Sequence, residues 1–255
     1  MNNTLLIDAP HDGIVTLTFN RPQAHNALDV ATMQAFSDAI DHLAQDENLH
    51  VLLLTGAGTN AFCSGGDLHE LSARVTAEEA LAMITLMGDA LLKMERLPVP
   101  VIAAINGYAL GGGGEIALAC DLRIVDSKAR LGFVQGRQAL ITGWGGGQRL
   151  LRLVGYSRAL EFLLTARTLN AHEMQALGLA NDVVEEGTAL PHALELAQRI
   201  AAQPQALTRA QKALLQAGLQ RSYEDAMAEE RRLFPPLWES DVHWQAVQAF
   251  LNKKK

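Results

Sequence analysis

Cysteine is scarce in this chain of 255 residues: Cys63 and Cys120 are the only two. Neither lies in a Cys-x-x-Cys pair and no spaced histidine pair accompanies them, so the pattern offers neither a zinc site nor a disulfide framework, and no metal is expected. Free thiols suit a reducing compartment, and a cytoplasmic protein is expected. Positive charge is also in deficit, with 21 Lys and Arg against 28 Asp and Glu. A net charge of −7 argues against nucleic acid as the main partner, because phosphate binding needs a basic surface. Apolar runs stay short of the roughly 18 residues that a membrane-spanning helix needs, so no membrane partner is expected. Met1 to Pro10 lacks a basic start followed by an apolar block, so no export signal is expected. The nucleotide-phosphate pattern GxxxxGK[ST] is missing as well.

What is present is apolar and regularly punctuated. Hydrophobic residues make up 49% of the chain, ample for a real core. "GIVTLTFNRP", from Gly13, is a β-branched run stopped by Asn and Pro. "HVLLLTGAG" and "VPVIAAING" are short continuous apolar runs ended by glycine, which suits strands buried on both faces. "LRIVD" reads as a further strand. Met33, Phe36, Ile40 and Leu43 recur at helical spacing, and "AEEALAMITLMGDALLKMERL" is a second amphipathic helix. Strand and helix alternate to about residue 155, which implies a layered α/β core. Beyond Gly155 the chain reads as helical, with "DVV" the one short strand. Pro235 and Pro236 are expected to break or bend the final helical stretch. Phe234, Leu237, Trp238, Trp244, Val247 and Phe250 give that tail much apolar surface, which is expected to cover either its own core or a neighbouring subunit.

Two glycine-rich loops share a logic. "FCSGGDL" (Phe62–Leu68) follows one buried strand, and "ALGGGGE" (Ala109–Glu115) follows another and opens a helix. Glycine in a helix or strand interior costs roughly 0.5–1 kcal/mol relative to alanine, so four in a row need a reason. One reason is tight packing with left-handed turns. Another is backbone N–H groups approaching a ligand, in the second loop at the positive end of a helix dipole. Two N–H groups aimed at one point form an oxyanion hole.

The stretches "FNRPQAHNALD", "LLLTGAGTNAFCSGGDL", "VPVIAAINGYALGGGGEIALACDLRI", "GWGGGQRLLRLVGYSRALEFLLTAR" and "ALGLANDVV" occur in the order and at the intervals of the crotonase (enoyl-CoA hydratase/isomerase) superfamily, which the chain resembles along nearly its whole length. The resemblance implies an α/β crotonase (ClpP-like) spiral of ββα units over residues 1–195, carrying a CoA-thioester site. It implies a C-terminal helical region over 196–255 that builds a homo-trimer or hexamer. It further implies an acyl-CoA thioester substrate, with coenzyme A part of that substrate and no cofactor tightly bound. Gly66 and Gly112 would supply the two oxyanion N–H groups. Ala24, Ala27, Ser64, Gly66, Asp67 and Leu68 fall where the family holds coenzyme A, largely through main-chain contacts. The plainer reading of Asn26–Leu28 as a turn and helix cap stands beside this one.

Glu115 falls where hydratases carry the first of two catalytic glutamates. The second lies in a Pro-Glu pair, and counting back from "GGGQRL" that pair becomes Val134–Gln135 here. Adding water to a double bond needs one proton taken and another delivered, work that two carboxyl groups can share. A glutamine amide does not titrate, so Gln135 can orient water or substrate but cannot be the base. Decarboxylating a malonyl-type thioester needs only one proton, given at Cα, which Glu115 could deliver. "FCSGGDL", "FVQ…GWGGG" and "ERRLFPPLWESDVHWQA" resemble the ethylmalonyl-CoA decarboxylase branch, so decarboxylation is the favoured expectation. Enoyl-CoA hydration and double-bond isomerisation are the alternatives. A CoA-thioester- or RNA-binding relative without turnover is the reading from a different class. Glu70, Glu78 and Glu79 could bring in a second acid, although an exposed helix face explains them. Cys63 reads as a small apolar residue, Tyr108 as packing, and His25 and His69 as loop residues. Trp144 either lines the acyl pocket or packs under the glycine turn.

Overall fold

In a computed structural model, residues 4–8 and 11–252 are described. The export-signal reading of Met1–Pro10 lies partly outside those residues.

The continuous apolar runs become the interior of a six-stranded sheet. Its strands are β1 (Leu5–Ile7), β2 (Ile14–Phe19), β3 (Val51–Gly56), β5 (Val101–Ile105), β7 (Leu122–Asp126) and β10 (Asp182–Val184), adjacent in that order. All are parallel except the β1 edge, with Leu52 opposite Val101 and Ile102 opposite Leu122. Every residue of β3 and β5 is buried, as strands covered on both faces must be. A second sheet holds β4 (Ala61–Cys63), β6 (Tyr108–Leu110), β8 (Arg130–Gly132) and β9 (Thr168–Asn170).

β2 leads directly into a helix, whereas β3, β5 and β7 are each followed by a short strand in the other sheet and then by a helix. After β3 and β4 come α1's neighbours α2 (Leu68–Leu71) and α3 (Ala77–Glu95), where α1 is Val30–Leu43. After β5 and β6 comes α4 (Gly112–Ala119). After β7 and β8 come α5 (Gly146–Val154) and α6 (Tyr156–Thr165). The chain therefore winds as a spiral of ββα units. Two asparagines pin the corners between the sheets. Asn106 Nδ2 donates to the carbonyls of Gly56 and Gly58, each at 2.7 Å, and Asn26 Nδ2 donates to Ala61 O at 2.7 Å. The turn of the plainer reading is there, but the cap of α1 is Asp29, whose carboxylate accepts from Thr32 N, not a residue of Asn26–Leu28.

On the opposite face of the large sheet lies α8 (Ala189–Ala201), which follows α7 (Ala171–Ala176). Its Ala189, Ala193 and Ala197 are fully buried against Val51, Leu53, Ile102 and Ala104. The expected division between residues 195 and 196 therefore falls inside a helix of the core. Small alanine side chains let this helix lie close to the sheet, so the core continues past that point. It also extends into α9 (Gln205–Gln220), where Lys212 Nζ donates to Val99 O at 2.8 Å and to Asp121 Oδ2 at 2.6 Å.

The last two helices, α10 (Tyr223–Trp238) and α11 (Asp241–Asn252), bury none of their residues. The tail does not cover its own core. The helical stretch does break near Pro235 and Pro236, as expected, but two residues past them: α10 runs through both prolines, ends at Trp238 and is followed by α11 from Asp241. Proline's fixed φ is itself helical; what it removes is one N–H bond per residue. Both prolines sit in the final turn, and the helix ends two residues later. No helix among the described residues is long and apolar enough to cross a membrane.

Candidate active site

The two glycine loops meet. A Cβ built on Gly65 would lie 2.8 Å from the Gly112 nitrogen, and one built on Gly113 only 1.8 Å from the Cys63 carbonyl oxygen. No L side chain fits at either place, and Gly65 and Gly111 also have positive φ, 98° and 54°. The tight-packing reading of the glycines, with left-handed turns, therefore holds. Each loop gains its place from a strand of the small sheet: β4 leads into Ser64–Gly66, and β6 leads into Gly111 and α4.

Two N–H groups stand out here. Neither Gly66 N–H nor Gly112 N–H has an acceptor among the described residues, and Gly112 is buried at the first turn of α4. Buried backbone donors are nearly always paired, and an unpaired one costs roughly 1–3 kcal/mol. An unpaired donor at a helix N-terminus is suited to an anionic oxygen.

Glu115 lies one helical turn further on and is 1% exposed. Its Oε2 accepts from the backbone N–H groups of Trp144 and Gly146, each at 2.7 Å. Its Oε1 accepts from Gln135 Nε2 at 2.8 Å and more weakly from Gly143 N at 3.3 Å. Burial pushes its carboxyl above the usual carboxylate range. The N–H groups of Gly146, Trp144 and Gly143, and then the charge of Arg149, pull the other way without cancelling it. A Cβ on Gly146 would lie 2.5 Å from Glu115 Cγ, so a glycine is needed at that position to admit this side chain. Glu115 is therefore also an N-cap for α5, supplied from outside the helix.

Gln135 faces Glu115, where counting from "GGGQRL" put it, in a short 3-10 turn spanning Val134–Gln138. Its Oε1 is buried and has no partner among the described residues. Trp144 packs against the glycine turn: its ring lies over Gly112, whose Cβ would fall 2.1 Å from the indole. Its Nε1 donates to Met83 Sδ at 3.4 Å.

The remaining candidates divide. Ala24, Ala27 and Ser64 lie near one another through the bonds of Ala27 N to Ala24 O and Ser64 N to His25 O. Leu28 bridges to Gly66 in parallel register, which carries the Ala27 segment alongside the first glycine loop. Leu68 is 56% exposed beside it. Asp67 is occupied structurally: its carboxylate pairs with Arg21 at 2.8 Å and caps His69 N. The Arg21 hydrogen bond holds its carboxyl below the usual range. Glu70 accepts from Val30 N and pairs with Arg74, while Glu79 caps α3 with Thr76, so neither enters the cluster. Burial pushes the Cys63 thiol up to about 12, and its sulfur accepts from Gly65 N, so it is an inert packing group. Sequence reasoning missed the N–H groups of Gly143, Trp144 and Gly146. Backbone donors carry no side-chain signal; only the Gly-x-Gly-Gly spacing hinted at them.

The spiral of ββα units and the paired glycine loops define an α/β protein of the crotonase fold. The family described as enoyl-CoA hydratase/isomerase matches residues 10–255, and the chain belongs to it. It is 34% identical over 256 residues to the short-chain-enoyl-CoA hydratase of Clostridium acetobutylicum, covering 100% of this chain and 97% of that one. It is 36% identical over 242 residues to the crotonyl-CoA hydratase of Syntrophomonas wolfei, covering 95% and 93%. The crystal structure of an enoyl-CoA hydratase from Bacillus anthracis superposes with a TM-score of 0.92 at 34% identity, over 98% of this chain and 97% of that one. The ethylmalonyl-CoA decarboxylase likeness of the short stretches finds no counterpart among these relatives.

Proposed function

We propose that the protein hydrates a short enoyl-CoA thioester, with Glu115 as its one proton-carrying group. The observation that carries this reading is the pair of unpartnered N–H groups, Gly66 and buried Gly112, one helical turn from a buried carboxyl. The thioester oxygen would accept both N–H bonds, which strengthen as negative charge develops on it. Coenzyme A would lie along Ala24, Ala27, Ser64, Asp67 and Leu68, held mainly by main chain.

In this reading water bonds to Cβ and its proton passes to the Glu115 carboxylate. The double-bond electrons move to the thioester oxygen at Gly66 and Gly112. Glu115 then returns the proton to Cα, the thioester carbonyl re-forms, and the carboxylate is restored. Gln135 neither takes nor gives a proton; its free Oε1 can accept from the water. Because all the acceptor sites of Glu115 are engaged, one hydrogen bond must yield during the cycle. The Gln135 bond is the one made by a side chain free to swing. The hydratase names of two relatives support water addition.

A second reading, decarboxylation of a malonyl-type thioester, has one observation in its favour. Burial raises the Glu115 carboxyl and so favours the acid form, which that reaction needs. The C–C bond breaks, CO₂ leaves, and Glu115 gives its proton to Cα. The reading also includes trimers or hexamers built through α10 and α11, and a reducing, cytoplasmic setting suited to two buried free cysteines. The test is a parallel assay of crotonyl-, 3-enoyl-, methylmalonyl- and ethylmalonyl-CoA. Hydration of crotonyl-CoA as the fastest reaction is the expected result, and turnover of a malonyl thioester alone overturns it.

A further inference from the structure

Resting on the acyl-CoA reading, we infer that Trp144 is the wall that limits the acyl group to a short chain. The indole occupies the space directly over Gly112, where even a methyl group on that residue would overlap it. It is 4% exposed and is held at three points. Its backbone N–H is bound by Glu115, its carbonyl accepts from Arg149 Nη1, and its indole N–H is directed to Met83. A Cβ on the neighbouring Gly143 would lie 2.8 Å from Ile84, so the loop carrying Trp144 is seated on α3. Across the site, Leu71 lies over Gly66 in the same way, 2.6 Å from a Cβ built there.

Each of the two residues whose N–H would hold the oxygen thus carries an apolar side chain packed against it. One of those side chains is a large ring that cannot retreat without leaving Met83. An acyl chain extending from that carbonyl past Glu115 meets the indole within a few carbons. Leu71 lies in the four-residue α2, near exposed Leu68, and is only partly buried. It is the softer wall, so Trp144 sets the limit.

The experiment is calorimetric binding of free coenzyme A and of acetyl-, butyryl-, hexanoyl- and octanoyl-CoA, which are saturated and are not hydrated. Wild type, Trp144→Ala and Trp144→Phe are compared, with circular dichroism to verify folding. A methylene in an apolar pocket typically changes binding by about 10–200-fold. Wild type should bind octanoyl-CoA at least tenfold more weakly than butyryl-CoA. Trp144→Ala should remove that penalty, and Trp144→Phe should reduce it in part and serves if the alanine variant does not fold. Equal wild-type affinity for butyryl and octanoyl thioesters, above that for free coenzyme A, overturns the inference and leaves the acyl-CoA reading standing. A wild-type preference that persists unchanged in a folded variant also overturns it. Failure of every thioester and of free coenzyme A to bind overturns the reading beneath it and the inference with it.

Discussion

Gln135 donates its side-chain amide to the buried carboxylate of Glu115 across 2.8 Å, with no third group between them. A glutamate at position 135 would bring two carboxyls into that contact, where like charge forces one to hold a proton. That arrangement supplies a separate acid and base. Gln135→Glu is therefore expected to raise crotonyl-CoA hydration by at least tenfold in a steady-state assay, since general acid–base participation is worth about 10²–10⁴-fold. An unchanged or lower rate in folded protein would show that position 135 does not face the reacting carbons. Glu115→Gln should damage every activity, because among the described residues no other carboxyl hydrogen-bonds within the cluster.

The raised carboxyl of Glu115 makes pH a discriminator. For hydration Glu115 must begin as the carboxylate, so kcat/KM should fall as pH drops through its raised pKa, giving an acid limb above the ordinary glutamate range. For decarboxylation it must begin as the acid, and activity should fall as pH rises through the same point. The sign of the limb in a pH–rate profile thus separates the two reactions. Stability follows the same group. A folded pKa above the unfolded one means that its contribution is fully present below the unfolded pKa and is lost as pH rises through the folded value.

Gly112→Pro removes the N–H and is compatible with the first position of a helix. The indole overlaps its Cβ, so the substitution is made in the Trp144→Ala background, compared with that background alone. Turnover should fall by about 10²–10³-fold, the usual cost of deleting one oxyanion donor, while thioester binding persists. Activity within tenfold of the background would remove Gly112 from the oxyanion assignment.

Phe234, Trp238 and Trp244 remain 57%, 50% and 45% exposed, on helices that bury nothing of their own. Light scattering at micromolar concentration should give the mass of a trimer or a hexamer; a monomer would contradict assembly through this tail.

Much of the fold was legible because long buried strands and amphipathic helices advertise themselves by run length and period. β3, β5, β7 and α1, α3 and α4 all lie where those patterns put them. The small sheet was not, since strands of three residues such as β4 and β9 are too short to show an alternation. The unbroken α10 was hidden for another reason: a proline in a last turn loses bonds that the turn can spare. In the site, Glu115, Gln135 and the two glycine loops were readable from residue type and order. The cradle of N–H groups around Glu115 and the Trp144–Met83 contact were not, because both arise from segments far apart in the chain meeting in space.

The interlock of the two glycine loops limits how this protein can change. Backbone at Gly65 and Gly113 touches backbone across the site, so substitution there would break the scaffold before it altered any chemistry. On the acyl-CoA reading, positions 135 and 144 carry side chains that border the reacting space. There substitution would retune proton handling at 135 and acyl size at 144 while the glycine scaffold stays fixed.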